Sequence, residues 1–240
     1  DPEAWSLRWY RNMIGDCSAE VVSSTVPCST KWMVGTVNSF YIGIISTAIA
    51  TALGTMAALG LSRPHMPYKP LIMSILISPM IVPLIITAAG MFFFYARINL
   101  VYTFTGVILA HVALATPFVV ITVTATLVGF DMNMVKAAQS LGAKPLRTFF
   151  KVIMPLILPG IISGALFAFI TSFDEVVIVM FMASIDQLTI PKQMWAGIRQ
   201  EISPVILCMA TCLVILSIVL LTTVELLRRR SERLRGIKAR

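Results

Sequence analysis

Long runs without a single Asp, Glu, Lys or Arg dominate this chain. They cover residues 32–62, 70–96, 98–130, 152–173 and 202–224. A helix needs roughly 20 apolar residues, at 1.5 Å each, to cross ~30 Å of hydrocarbon. Every run is long enough, and each must be helical because lipid offers no partner to open backbone groups. The pattern predicts five spans near residues 33–61, 71–96, 105–128, 157–182 and 204–227, the fourth continuing past the Asp174-Glu175 interruption.

Composition agrees with that pattern. Of 240 residues, 58% are hydrophobic and only 12% charged, and the mean hydropathy is +0.88. A soluble domain carries about 25% charged residues, and this chain has too few to cover a soluble surface of its size. A soluble enzyme, a disordered chain and a disulfide-stapled secreted domain are excluded, which leaves an all-α polytopic membrane bundle.

The net charge of +8 would suggest nucleic acid in a soluble chain. Here the basic residues sort by side instead. With the C-terminus in the cytoplasm, inner segments hold 13 Lys and Arg and outer segments hold 6, as the positive-inside bias requires. Residues 1–32 then form an extracytoplasmic N-terminal segment whose Trp5, Trp9, Tyr10 and Trp32 suit a membrane interface. Residues 33–227 form the transmembrane domain, with a cytoplasmic loop at 129–156, and 228–240 a basic cytoplasmic tail. Membrane lipid is an expected partner and nucleic acid is not.

Small residues recur at helical spacing in Ala50-x-x-x-Gly54-x-x-x-Ala58 and Gly160-x-x-x-Gly164-x-x-x-Ala168. Such stripes let helix backbones approach closely. Pro79, Pro83 and Pro117 fall inside spans and favour kinks. His111 reads as a buried hydrogen-bonding residue. Cys17 and Cys28 share the outer segment, where a bridge or two free thiols are both open readings. Cys208 and Cys212 lie one helical turn apart and read as packing residues. Four Cys and two His are too few and too scattered for a metal framework.

Asp174 and Glu175 stand out because charge inside a hydrophobic stretch is costly and marks a functional hypothesis. They could line a route for a cation. They could equally be a structural pair bonded to backbone or to Arg199. The chain lacks the Gly-x-Ser-Gly and paired-aspartate patterns of intramembrane proteases. It also lacks a Gly-rich phosphate loop, so it does not hydrolyse ATP by that chemistry.

The cytoplasmic loop carries the most informative spacing. Asp131 is a natural N-cap, a short helix follows over 132–141, and Gly142 suits a left-handed end. A second helix begins at Pro145 and runs toward Met154, with Pro155 and Pro159 marking entry into the next span. Ala137-Ala138, then Gly142, then Val152-x-Met154-Pro155 resembles the coupling motif of ABC-importer permeases, Glu-Ala-Ala, three residues, Gly, nine residues, Ile-x-Leu-Pro. Lys136 replaces the usual Glu. Ser6-Leu7-Arg8-Trp9-Tyr10, Ser172-Phe173-Asp174-Glu175-Val176-Val177, Leu188-Thr189-Ile190-Pro191-Lys192 and Ile202-Ser203-Pro204 are similar to further blocks of the second permeases of spermidine/putrescine-type importers. Opine and phosphonate permeases belong to the same group.

That resemblance implies a type I ABC-importer permease fold in a bacterial inner membrane. It implies six spans, hence a first helix upstream of Asp1. It also implies a second permease, two ATPase subunits that bind ATP and Mg, and an extracytoplasmic solute-binding protein as partners. No cofactor and no catalytic residue are expected in this chain itself. Asp131, Lys136, Ala137, Ala138, Gly142 and Pro155 would couple it to an ATPase, while Asp174 and Glu175 are the candidates for the substrate route. A polyamine-like cation is the expected cargo. The alternatives are another small solute (an opine, amino acid or phosphonate) or a non-transporting membrane scaffold.

Overall fold

The computed structural model describes residues 7–16, 30–63, 65–128, 133–200 and 203–234, and among them every regular element is helical. The chain divides into two compact units, Val34–Lys192 and a second built from Asp1–Met33 with Gln193–Arg240. In chain order the helices are α1 (Arg8–Met13), α2 (Lys31–Leu61), α3 (Lys69–Ile81), α4 (Leu84–Arg97), α5 (Phe104–Val128) and α6 (Asn133–Ser140). They continue with α7 (Pro145–Thr148), α8 (Met154–Phe173), α9 (Val177–Met182), α10 (Ile190–Gln200) and α11 (Pro204–Leu234). Three helical segments are long and apolar enough to cross a bilayer: Lys31–Leu61, Phe104–Val128 and Pro145–Phe173. The α3–α4 pair counts as a fourth when taken as one bent span, and α11 adds the shorter apolar stretch Pro204–Val219.

In the larger unit α5 is the central element, and it pairs extensively with α8. Small residues make that approach possible. A Cβ added at Gly164 would lie 2.5 Å from Thr122 Oγ1 and 3.0 Å from Val119 Cα, and one at Gly54 would lie 2.7 Å from Val119 Cβ. Val119 is thus gripped between α2 and α8. Ala50, Ala58 and Ala168 of the same two stripes are wholly buried. Both stripes pack helices within this chain.

The predicted span 71–96 is two helices. Val82 (φ −70°, ψ 136°) and Pro83 (φ −52°, ψ 127°) are extended, and the helix axes turn through 102° between them. Pro83 cannot donate to the carbonyl of Pro79, and its ring excludes residue 82 from helical geometry. Pro117, by contrast, sits buried in an unbroken α5, where packing on several sides holds the helix together.

The segment after the cytoplasmic loop also differs from expectation. Pro145–Thr148, a wide π turn at Phe149–Ile153 and Met154–Phe173 are consecutive, so Pro155 and Pro159 lie inside one helical rod. The wide turn ends two residues before Pro155, which has no N–H for the usual bond to residue 151. The rod ends at Phe173, not near 182. Asp174 to Val176 interrupt it before α9.

In the smaller unit α1 packs on α11, with the Tyr10 hydroxyl near the Cys208 thiol. Arg11 Nε pairs with Asp16 Oδ2 at 2.7 Å. Trp32 is buried rather than spread at a lipid interface. Cys208 and Cys212 are free thiols. Cys17, Cys28 and Asp131 lie outside the described residues.

Candidate coupling helix and substrate route

The short loop helix forms over Asn133–Ser140 and buries none of its residues. Its end is a Schellman motif. Ala143 N–H donates to the Ala138 carbonyl (3.0 Å), Gly142 N–H to the Gln139 carbonyl (2.9 Å), and Gly142 takes φ +78°. A left-handed residue is what lets the chain turn back on its last carbonyls. Nothing lies within 4 Å of a Cβ built at Gly142, so backbone conformation, not space, selects glycine there.

One exposed face of α6 is apolar and the other carries Lys136, Gln139 and Ser140. Met134, Ala137 and Leu141 follow at i, i+3 and i+7, which puts them on one face, and Leu141 is 89% exposed. Ala138 is half-buried, so Ala137 is the more accessible of the alanine pair. Lys136 is exposed, and its backbone carbonyl accepts the Ser140 hydroxyl at 3.0 Å. Pro155 is exposed as the second residue of α8. Sequence reasoning singled out the alanines and missed Met134 and Leu141, although their spacing carried the signal.

At the opposite end of α5, a buried polar lattice fixes the loop after α9. Asn38 Nδ2 donates to the carbonyls of Asp186 (2.8 Å) and Leu188 (2.9 Å), and Ile190 N–H donates to Ser39 Oγ (2.8 Å). Lys192 Nζ reaches the carbonyls of Ala183 (2.9 Å) and Val179 (3.4 Å), closing the C-terminal end of α9. Burial lowers the Lys192 pKa from its ordinary value. Tyr102 N–H donates to the Met182 carbonyl at 2.9 Å, tying the α4–α5 tip to the same region. Asn38 and Ser39 were not foreseen as functional or structural. Their only signal is their polarity within an apolar run.

The two acids part company. Glu175 is buried, and its Oε1 accepts the Ile178 N–H at 2.7 Å, capping the first turn of α9. Asp174 is exposed at the C-terminal end of α8. Arg199 has its guanidinium 5.4 Å from the Trp195 ring centre. His111 is 1% exposed with Nδ1 2.8 Å from Ser172 Oγ, so it bridges α5 and α8 as a core hydrogen-bonding residue. Among the described residues no group of His, Cys, Asp or Glu could hold a metal ion.

Comparison with known proteins gives this geometry a context. A family profile described as "Binding-protein-dependent transport system inner membrane component" matches residues 33–233. The spermidine/putrescine transport system permease protein PotC of Haemophilus influenzae is 29% identical over 196 residues, 82% of this chain and 76% of that protein. The putrescine transport system permease protein PotI of Escherichia coli is 28% identical over 214 residues, 86% of this chain and 72% of that protein. A solved structure of the MetNI methionine ABC transporter, in inward-facing conformations, superposes with TM-score 0.62 at 19% identity, over 91% of this chain and all of the matched chain. That last likeness concerns the fold.

Proposed function

The chain belongs to the family of binding-protein-dependent transport system inner membrane components, and on that premise we propose that it carries a small organic cation of the polyamine kind. It is a membrane-spanning permease subunit of an ABC importer. In our reading it pairs with a second permease, receives its cargo from an extracytoplasmic binding protein, and draws on two ATPase subunits that bind ATP and Mg. Its C-terminus is cytoplasmic, on the side of the basic residues.

One observation carries the coupling role. Helix α6 ends in a hydrogen-bonded Schellman turn at Gly142, and its Met134-Ala137-Leu141 face is uncovered. An exposed apolar face on a short, stiff helix suits insertion into a groove of a partner subunit. Movement of the ATPases would then pass through α7 and the wide turn into α8, which grips α5. Lys136, exposed where the family motif has Glu, would meet an acidic or carbonyl partner. Asp174, not Glu175, is the acid available to a cationic cargo, because Glu175 already caps α9. That same cap is the observation favouring a second reading, in which the cargo is another small solute and only the coupling role stands.

The test is reconstitution. The chain, co-expressed with its second permease, ATPases and binding protein, should yield vesicles that take up labelled spermidine or putrescine at the expense of ATP. Asp174→Asn should reduce that uptake about tenfold, the scale of one charge interaction, while the ATPases still co-purify. Unchanged uptake by this variant removes Asp174 from the route. Transport of an anion in place of the polyamines overturns the cation reading and leaves the coupling role intact.

A further inference from the structure

An open groove of about 770 Å³ runs between α2 and α8 in the larger unit. Its α2 wall is a strip of small residues, Thr47, Ala48, Thr51, Ala52 and Thr55, with Ile44 and Met56 at the two ends. The α8 wall is apolar, from Met154 through Ile162 and Ala165 to Phe169. The hydroxyl oxygens of Thr47, Thr51 and Thr55 are buried, so the groove offers an occupant hydrocarbon and almost no hydrogen-bonding group. Ile44 to Met56 is a helical rise of ~18 Å at 1.5 Å per residue. One leaflet of a ~30 Å hydrocarbon core is ~15 Å deep.

The groove reaches Met154, the first residue of α8, and so ends toward the 129–156 loop. Positive charge collects just beyond that end. Lys151 lies about one helical turn before Met154 and Arg63 about two turns after Met56. Both are exposed, and among the described residues neither enters an ion pair. Arg147 stands a further turn before Lys151, and Asp131 is the one acid between Glu20 and Asp174 in the sequence.

A trough of leaflet depth with unpaired cations at its mouth fits an amphiphile with a hydrocarbon tail and an anionic head. We propose that the α2–α8 groove holds an acyl chain of an anionic phospholipid whose phosphate sits between Arg63 and Lys151. A zwitterionic head brings its own ammonium group to the same cations and is disfavoured. An apolar helix of another subunit fills the trough and leaves the cations unanswered. The site is independent of which solute the importer carries.

Photolabelling of the assembled importer tests it. The complex is placed in phosphatidylethanolamine nanodiscs with a trace of phosphatidylglycerol that carries a diazirine in its acyl chain. Irradiation should label the segments 44–56 and 154–169. The matching diazirine phosphatidylethanolamine should label them at least about tenfold less, since each basic residue near an anionic head is worth about fivefold. Arg63→Gln with Lys151→Gln should abolish that preference and leave the labelling by both lipids. Ala48→Phe with Ala52→Phe, at two exposed positions of the groove, should fill it and remove the label. Val214 and Ile215, exposed on α11 far from any basic residue, should be labelled equally by the two lipids.

Equal labelling of the groove by both lipids overturns the site, and so does a preference as strong at Val214 and Ile215. Absence of label from both segments, the result if a helix of the second permease covers the groove, overturns it as well. A preference that survives loss of Arg63 and Lys151 removes them as the phosphate site. If the paired phenylalanines prevent assembly, the comparison of the two lipids on the unsubstituted complex still decides.

Discussion

Gly142 occupies open space, so any cost of replacing it comes from its φ of +78° alone. The left-handed conformation costs an ordinary L-residue roughly 1–2 kcal/mol, more for a β-branched one. Gly142→Val should therefore fray the end of α6 and lower the ATP hydrolysis stimulated by loaded binding protein, whereas Gly142→Asn should stay close to normal. Equal activity of the two variants would dissociate the helix end from coupling. Lys192 is the other residue with a demanding position. Lys192→Met leaves the Ala183 and Val179 carbonyls without their donor, a loss of about 1–3 kcal/mol that thermal unfolding of the purified complex would register. Its pKa is lowered in the fold, so between the folded value and the ordinary 10.5 the unfolded chain binds more protons. Stability from this group should rise with pH through that alkaline window. The slope should vanish in Lys192→Met.

Between elements, the α5–α8 contact depends on the absence of side chains at Gly160 and Gly164. Backbone and Thr122 already fill the space that a Cβ at Gly164 would need. Gly164→Val should cost about 1–3 kcal/mol through overpacking and reduce yield of the assembled complex. Gly90 on α4 has nothing within 4 Å of its Cβ position, and Gly90→Ala should be neutral or stabilise by up to about 1 kcal/mol. Comparing midpoints of thermal unfolding for the two separates steric demand from glycine content. If Gly164→Val unfolds no earlier than Gly90→Ala, the close approach is not what holds α5 to α8.

For the molecule as a working subunit, the exposed face of α6 is the region expected to pull on the rest. Met134→Ser with Leu141→Ser removes its two large apolar anchors while leaving the Schellman bonds intact. Co-purification of ATPase subunits should fall at least about tenfold, as loss of buried anchors does at interfaces, with the permease itself as stable as before. Normal co-purification would move the docking contact to other residues of the loop.

Membership of a helical membrane protein was legible in the uncharged runs because lipid permits so few backbone solutions. The short loop helix α6 was legible too, since its ending depends on one local conformation that glycine marks. The small-residue stripes announced close packing, but only the fold shows that Gly54 and Gly164 grip the same Val119. Tertiary structure also decided the fate of each proline: Pro83 breaks its span at the middle, while Pro117, equally unable to donate, is carried by the packing around α5. It decided between the two acids for the same kind of reason. Asp174 and Glu175 are adjacent and chemically alike, yet the chain turns between α8 and α9 so that the Ile178 N–H falls within reach of Glu175 alone. Local conformational demands are written in residue type and spacing, whereas the partner of a polar group depends on which distant or turning segment arrives beside it.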